Sequence, residues 1–305
     1  MKIRTMLKNN RGSTIIIFSC SLAAILALSA LVTDLGYIAV ERRKLINTTD
    51  AAALAGAQDL IIGRQTAVNT ANLYVNKNEN GLSSTQVTVS DDNTAITVNT
   101  KKIADYFFMR FAGYNSREIF AESTAVVSTI CSYKGIRPFA VEKRDFIFGI
   151  EYVLKEGAGD GTTGNYGPLA LGGTGANNFR DNIIRGFQHK LKVGDLVDTE
   201  TGNMKNPTRQ GVEYLISQCR HIPLCTYESY SKECPRIIVI PIVDSLDLKG
   251  RKPAQIVGFA SFMLSNYTDK GGRSEITGRF IKHIEVGDME DGIQGFGTVG
   301  VRLIK

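Results

Sequence analysis

The pattern of apolar and polar positions divides the chain into an apolar N-terminal stretch and a mixed remainder. Residues 13–33 contain no charged side chain, and at about 1.5 Å per residue a helix of this length crosses a hydrocarbon layer of about 30 Å. Apolar and small residues then recur at three- and four-residue steps, the spacing of one helix face. This second pattern comprises Leu35, Ile38, Leu45, Ile46, Thr49, Ala53, Gly56, Ala57 and Leu60. We therefore predict a transmembrane helix that continues into a helical stem at residues 34–63.

A cleavable signal peptide is the main alternative for the apolar stretch, and a buried helix of a soluble core is another. A signal peptide has an apolar region of only about 7 to 15 residues, followed by a cleavage site of small residues. Ala27 and Ala30 resemble such a site, but the helical pattern continues beyond them. This continuity favours an anchor that stays attached.

Small residues recur at every fourth position in both the span and the stem. In the span they are Ser19, Ala23 and Ala27, and in the stem they are Ala52, Ala53, Gly56 and Ala57. Because side chains without bulk let two helix backbones approach closely, we expect these residues to pack against helices of partner proteins. An ordinary alanine-rich helix is the alternative.

Beyond the stem, residues 64–135 are predicted to form a small α+β module. The expected elements are a helix at 63–77, strands at 86–90 and 95–100, a short amphipathic helix at 103–112 and a strand at 118–130. The two alternating segments on either side of Asp91, Asp92 and Asn93 are typical of a β-hairpin. A helix followed by this β-β-α-β order can cover one face of its own strands.

After Arg137 and Pro138 the composition shifts toward glycine and β-branched residues, which predicts a separate domain at 136–305. Its expected strands are 145–154, 236–243, 255–264, 276–286 and 298–304, and its expected helices are 177–188 and one capped by Asn206 with Pro207 as first residue. This domain should be a β-rich α+β fold. The whole chain is therefore assigned to the α+β class, with one N-terminal transmembrane helix.

Charge gives the span a direction. Lys and Arg exceed Asp and Glu by 36 to 30, and four of these six excess charges are Lys2, Arg4, Lys8 and Arg11. The remainder of the chain is nearly neutral, so no nucleic-acid partner is expected. Because basic flanks stay on the cytoplasmic side, we predict a cytoplasmic tail at 1–12 and export of 34–305. A competing basic cluster at 42–44 shares its region with Asp34 and Glu41.

The N-terminal residues also resemble a known family. The order is Gly-Ser-Thr at 12–14, the apolar span, Val-Thr-Asp-Leu-Gly-Tyr at 32–37, Arg-Arg-Lys-Leu at 42–45 and Thr-Asp-Ala-Ala-Ala-Leu-Ala-Gly-Ala at 49–57. This order is similar to the N-terminal segment of the TadE/TadG-like Flp pilus-assembly proteins over about residues 10–60. The resemblance implies a membrane-anchored, pilin-like or minor component of the tight-adherence pilus and secretion system, with other Tad-type proteins as partners.

One feature of type IV pilin precursors is missing from this segment. Those precursors are cut after a glycine and carry a glutamate at the fifth mature position, whereas cleavage after Gly12 would place Ile17 there. We therefore favour an uncleaved anchor over a processed major pilin. Asp34, at the outer edge of the span, is expected either to be solvated or to pair with a cation of a neighbouring subunit.

The cysteines are the most informative candidates for site chemistry. Cys20 lies in the span, and Cys131, Cys219, Cys225 and Cys234 lie beyond it, which favours disulfide bonds in an oxidising compartment. Free thiols remain an alternative. A zinc site of the last three cysteines with His221 is a further alternative, and the lack of a C-x-x-C pair counts against it.

Catalytic and cofactor motifs are weak. The glycine-rich run at 157–164 lacks the following helix and the Lys-Ser/Thr pair of a phosphate loop. None of the three histidines adjoins a nucleophile elbow. We therefore expect a non-enzymatic envelope protein in Tad-type pilus assembly or adhesion, with no metal, cofactor or small-molecule substrate. An anchored enzyme acting on cell-wall or matrix polymers is the alternative.

Overall fold

The structure is a computed structural model of the 305-residue chain. It describes residues 11–156, 165–200, 204–246, 253–270 and 273–304. Residues 1–10 of the predicted cytoplasmic tail and the glycine-rich run at 157–164 lie outside the described residues. The chain forms two compact units, Met1–Val126 with Leu303–Lys305 and Val127–Arg302. The boundary between the units lies nine residues before the one predicted from composition, and it falls within a single long strand at 116–134.

Two helices begin the first unit. Helix α1, Arg11–Asp59, is continuous over 49 residues, which confirms the prediction that the apolar span and the stem form one helix. It ends where the N–H groups of Ile62 and Gly63 both donate to the carbonyl of Asp59. Helix α2, Arg64–Asn78, follows and packs against α1. It matches the helix predicted at 63–77.

Three antiparallel strands complete the first unit: β1 (Leu82–Val89), β2 (Ala95–Asp105) and the first part of β3 (Ser116–Lys134). The predicted hairpin is present, and Asn93 adopts the left-handed conformation in its turn with φ 57°. The helix predicted at 103–112 is wrong. Strand β2 continues through Asp105 because residues 116–118 of β3 pair with it, and only Met109–Ala112 form a single 3₁₀ turn.

The second unit is rich in β-strands, as predicted. Its other strands are β4 (Phe139–Glu142), β5 (Glu151–Glu156), β6 (Asn165–Pro168), β7 (Lys190–Lys192), β8 (Leu196–Asp198), β9 (Ile237–Val243), β10 (Pro253–Lys270), β11 (Arg273–Ile281), β12 (His283–Ile284), β13 (Asp288–Glu290) and β14 (Thr298–Ile304). Among the described residues, six of them pair in the order β11-β5-β6-β4-β9-β10, and β10 also pairs with β11. The order therefore closes on itself.

Two helices, α3 (Ala176–Arg185) and α4 (Lys205–Ser217), pack on this arrangement. Alternate residues of β9 enter two different cores, so that Ile240 packs in a cluster with Val212 of α4, while Val239 belongs to a second cluster. Burial of both faces explains the unbroken apolar run of this strand. Helix α4 begins at Lys205, not at the predicted Pro207, which lies in the first turn where no N–H donor is required.

Candidate functional site: the anchor helix, its stem and a cysteine cluster

The first part of α1 presents apolar side chains on all sides. Residues 14–33 are exposed apart from the partly covered Ala30. The large apolar residues among them are Ile15, Ile16, Ile17, Phe18, Leu22, Ile25, Leu26, Leu28, Leu31 and Val32. Ser29 and Thr33 donate their hydroxyl groups to the carbonyls one turn earlier, at 2.9 and 2.8 Å. The segment is long and apolar enough to cross a membrane, and the hydroxyl groups of Ser29 and Thr33 are satisfied within the helix, as suits a lipid environment.

Burial begins abruptly at Asp34, the first residue beyond the apolar stretch. From there α1 buries one face at three- and four-residue steps, and its members are Asp34, Ile38, Glu41, Leu45, Thr48, Thr49, Ala52, Ala53 and Gly56. The predicted stripe was placed slightly wrongly around the helix, since Leu35 and Ile46 are 47% and 38% exposed. Asp34, Glu41 and Thr49 face inward in their place because each has a polar partner.

Asp34 caps the 3₁₀ turn of its own chain. Its two carboxylate oxygens accept hydrogen bonds from the backbone N–H groups of Phe107, Phe108 and Met109 at 2.6 to 3.2 Å. Burial alone would raise the pKa of Asp34, but these hydrogen bonds lower it overall. Both sequence interpretations of Asp34 are therefore corrected: it is neither solvated nor free for a neighbour's cation, because three backbone donors surround it.

About two helical turns beyond Asp34, at Glu41, a lysine joins two buried carboxylates. The Nζ of Lys102 lies 2.5 Å from Glu41 of α1 and 2.9 Å from Glu79, which follows α2. Burial alone would lower the pKa of Lys102, but the hydrogen bonds and charges of both glutamates raise it overall. The triad ties α1, the end of α2 and β2 together.

The remaining contacts show that α1 runs antiparallel to β2. Thr49 and Thr100 share a hydrogen bond of 2.7 Å, and a Cβ atom on Gly56 would lie 2.7 Å from Ile96. From Asp34 to Gly56 the helix rises about 33 Å, and the strand path from Phe107 back to Ile96 covers about 36 Å. These lengths agree, so the contacts form one continuous seam.

The stem's small residues are covered by this seam. Ala52, Ala53 and Ala57 have no exposed surface, and a Cβ on Gly56 would lie 3.0 Å from both the carbonyl oxygen of Ala67 and the Cβ of Ala71 in α2. The predicted packing face in the stem therefore exists, but its partner is α2 of the same chain. Ser19, Ala23 and Ala27 of the span are exposed, and their pairing with other helices stays a prediction.

Exposed aromatic residues surround the 3₁₀ turn that Asp34 holds. Phe107, Phe108, Phe111 and Tyr114 are 53%, 46%, 88% and 61% exposed. The ring of Phe107 stacks edge-on against Tyr37 of α1 with centroids 4.8 Å apart. We call residues 106–114 the aromatic loop. Sequence reasoning missed it because the segment was assigned to an amphipathic helix, although four aromatic residues within eight positions were a signal.

Cys219, Cys225 and Cys234 meet in the second unit together with His221. The ligand atoms of these four side chains all lie within 4.8 Å of one another, and the three cysteines are 7%, 4% and 3% exposed. The Sγ atoms of Cys219 and Cys234 are 3.5 Å apart, and the Nδ1 of His221 is 3.6 Å from the Sγ of Cys219. We call these four residues the cysteine cluster.

All five cysteines are free thiols in the structure, and Cys131 does not join the cluster. It lies on β3, where its thiol donates to the carbonyl of Asp288 at 3.3 Å. Burial alone would raise the pKa of Cys219, but hydrogen bonds from His221 and from the backbone N–H of Cys225 lower it to about 6. The cluster therefore offers one sulfur that ionises readily.

An open pocket of about 690 Å³ is lined by Cys234 of the cysteine cluster and by His283 and Glu285, among others. Burial raises the pKa of Glu285, although the Tyr133 hydroxyl donates to it at 3.0 Å. Sequence reasoning did not single out this group. It places one carboxyl with a shifted pKa in a cleft.

The comparisons with known proteins bear on the anchor alone. Residues 12–59 match the Tad family model, described as Flp pilus-assembly TadE/G-like. The matched segment begins at the start of the apolar span and ends at the last residue of α1. The comparison with curated proteins and the comparison with solved structures each found no match.

Proposed function

We propose that this chain, whose residues 12–59 match the TadE/G-like segment, is a membrane-anchored, non-enzymatic component of Tad/Flp-type pilus assembly or surface adhesion. Helix α1 carries the proposal. Its first part is exposed and apolar, and from Asp34 onward it is built into a folded unit. Helix α1 thus belongs both to the membrane anchor and to the first folded unit, and it holds that unit at the membrane surface.

Rigid attachment follows from the seam between α1 and β2. A flexible linker between the span and the first unit would let that unit move freely relative to the membrane. Here the polar contacts between α1 and the first unit begin at Asp34, the first residue beyond the apolar stretch. The position and tilt of the first unit are therefore set by the span itself. This suits a component that must present a surface at a fixed height within an assembly.

The aromatic loop supports the placement of the membrane surface at the end of the apolar span. Trp and Tyr side chains concentrate where membrane and water meet, because their rings are apolar and carry one polar group, and exposed Phe rings are stabilised when they leave water. Asp34 fixes the loop beside the end of the span, and four of its aromatic rings are exposed. The loop therefore rests in the membrane interface, next to the point where α1 emerges.

The depth of the loop can be measured with a tryptophan, because the chain contains none. Phe111→Trp, reconstituted as the full chain in vesicles, should emit at short wavelength and be quenched by lipids brominated near the glycerol end of their chains. Ile62→Trp is the control, since its site is also exposed and follows the end of α1 at Asp59, about 38 Å along the helix from Asp34. Equal, water-like emission from both variants would contradict membrane seating of the loop.

Orientation is proposed from the basic flank at 2–11, which should stay cytoplasmic and leave residues 34–305 outside. Protease added to intact protoplasts should remove a C-terminal epitope while a cytoplasmic marker protein survives. If the epitope survived until detergent was added, the C-terminus would lie on the cytoplasmic side and the orientation would be the reverse of the proposed one. The seam and the membrane-seated loop would remain as proposed in that case.

The exposed small residues of the span carry the proposed assembly role, which is distinct from membrane anchoring. Ser19, Ala23 and Ala27 lie on one side of α1, and the described residues of the first unit leave all three exposed. In the proposal they contact helices of other Tad-type proteins, because small residues permit close backbone approach within lipid. The identity of those helices would come from crosslinking in cells that express the remaining pilus proteins.

An anchored enzyme acting on wall polymers is the second candidate, and Glu285 is the observation that favours it. A carboxyl with a raised pKa in a cleft is suited to donate a proton. The full chain should then release fragments from purified wall polymer, and Glu285→Gln should abolish the release. No release by the unmodified chain, combined with unchanged pilus assembly by Glu285→Gln, would support the structural role.

A further inference from the structure

We propose that the cysteine cluster is a binding site for a divalent, thiophilic cation of the zinc class. The inference concerns residues of the second unit far outside the matched segment at 12–59. It does not depend on the membrane anchor or on the orientation of the chain.

The distances fit tetrahedral coordination. With zinc–sulfur bonds of about 2.3 Å and zinc–nitrogen bonds of about 2.0 Å, neighbouring ligand atoms are about 3.8 Å apart for two sulfurs and about 3.5 Å for sulfur and nitrogen. The Sγ atoms of Cys219 and Cys234 are 3.5 Å apart, and His221 Nδ1 is 3.6 Å from Cys219. All other pairs lie within 4.8 Å, so a shift of about 1 Å or less completes the set.

The donor set is one that zinc prefers. Three thiols and one imidazole form a Cys₃His site, a common composition of closed structural zinc centres. The cation is bound by three thiolates and a neutral imidazole, which leaves a net charge of minus one on the complex. The loop at 218–236 carries three basic residues against two acidic ones, and this excess offsets that charge.

The surroundings hold the donors in place. The backbone N–H of Ser231 points at the Sγ of Cys225 at 3.5 Å. Arg236 donates to the carbonyl of Cys225 at 3.0 Å and to that of Leu264 at 2.7 Å, which fastens the loop to β10. Such second contacts orient metal ligands and strengthen binding.

The position in the fold gives the cation a structural role. Residues 218–236 connect α4 to β9 without any helix or strand, and a connection of this length normally has a function or a clamp. Three of its side chains turn inward against Met263 and Ile281, which lie on β10 and β11. A cation there would pin the whole connection onto the hairpin of these two strands.

A disulfide is the competing chemistry for the same residues. It would draw two sulfurs to about 2.0 Å, release two protons and two electrons to an oxidant, and leave the third thiol and His221 without a shared role. The convergence of four donors, not two, favours the cation. The spacing C-x-H-x₃-C-x₈-C hides the site in the sequence, because only folding brings its distant cysteine to the others.

The test is metal analysis of the full chain purified in detergent without chelator. We expect one zinc ion per chain, and all five thiols should react after unfolding in the presence of chelator without any reductant. Cobalt(II) added to the chelator-stripped protein should give sulfur-to-cobalt charge-transfer absorption and the strong visible bands of a tetrahedral thiolate site. Only three reactive thiols, together with no zinc even after its addition to the reduced protein, would overturn the proposal.

Variants locate the site. Cys131→Ser is the matched control, because this cysteine lies outside the cluster, and it should retain one zinc. Cys225→Ser should lose stoichiometric zinc. His221→Ala removes the most exposed ligand and should weaken zinc binding at least tenfold, while His221→Cys should restore the cobalt spectrum with added thiolate absorption. If Cys225→Ser does not fold, the two His221 variants decide, and unchanged affinity in His221→Ala would refute the assigned ligand set.

Discussion

The seam between the stem and its own unit makes a quantitative prediction at Gly56. In Gly56→Ala the new methyl group would lie 2.7 Å from the Cδ1 of Ile96, 3.0 Å from the carbonyl oxygen of Ala67 and 3.0 Å from the Cβ of Ala71. The tip of Ile96 can move aside, but the two atoms of α2 belong to its backbone or adjoin it. Helix α2 must therefore shift away from α1.

Gly36→Ala is the matched control for this change. Gly36 lies in the same helix, and nothing lies within 4 Å of where its Cβ would be. Alanine is favoured over glycine by about 1 kcal/mol within a helix, and this gain applies to both positions. Overpacking costs about 1 to 3 kcal/mol and applies to Gly56 alone. We expect Gly36→Ala to stabilise the chain by up to about 1 kcal/mol, and Gly56→Ala to be less stable than Gly36→Ala by about 1 to 3 kcal/mol.

Guanidinium unfolding of the full chain in detergent, followed by far-ultraviolet circular dichroism, would measure the two variants. Hydrogen exchange of peptides from α2 and β2 would place the effect in the first unit. Equal changes at Gly36 and Gly56 would refute the close approach of α1 and α2. Unchanged stability of Gly56→Ala, combined with lost crosslinking to a partner protein, would restore the interpretation of the stem as an intermolecular face.

Three further predictions concern the anchor and the seam. Lys102→Met should destabilise the first unit by about 3 to 5 kcal/mol, because it leaves Glu41 and Glu79 buried without their cation; Lys101→Met is the control, since its exposed pair with Glu118 should contribute no more than about 1 kcal/mol in the same unfolding assay. The pKa of Asp34 is lowered below its ordinary value of 3.8, so the stability that its hydrogen bonds contribute should be present above that pH and lost as the pH falls through the lower folded pKa. The protection of the aromatic loop's amides, taken relative to their intrinsic exchange rate at each pH, should therefore fall in acid, and Asp34→Asn should remove this acid dependence. Ala27→Ile should reduce crosslinking of the span to Tad-type proteins without changing membrane insertion, whereas Ser21→Ile, which is also exposed and lies on the other side of the helix from Ala23 and Ala27, should leave the crosslinks unchanged.

Local sequence patterns predicted α1 and the β1–β2 hairpin correctly, because helical periodicity and turn preferences depend on residues close together in the chain. The charge-free stretch before Asp34 and the three- and four-residue steps after it predict one helix, and α1 runs from Arg11 to Asp59 without a break. The β1–β2 hairpin follows from two alternating segments around Asn93, which takes the left-handed conformation its turn requires. The TadE/TadG-like resemblance was also visible there, since its motifs are contiguous.

Partners distant in sequence decided what those patterns could not. Asp34 and Glu41 are charged, so the predicted apolar stripe of the stem left them out; the N–H groups of 107–109 and the Lys102 cation make their burial favourable instead. Residues 103–105 have a helical pattern, but a strand edge at 116–118 was available to pair with them. Eight residues separate Cys225 from Cys234, and only the packing of their loop on β10 and β11 brings their sulfurs together with His221. The type of secondary structure and the spacing of side chains along it can be predicted from a short stretch of sequence. Contacts that form only when the whole unit folds decide which polar groups share a buried site.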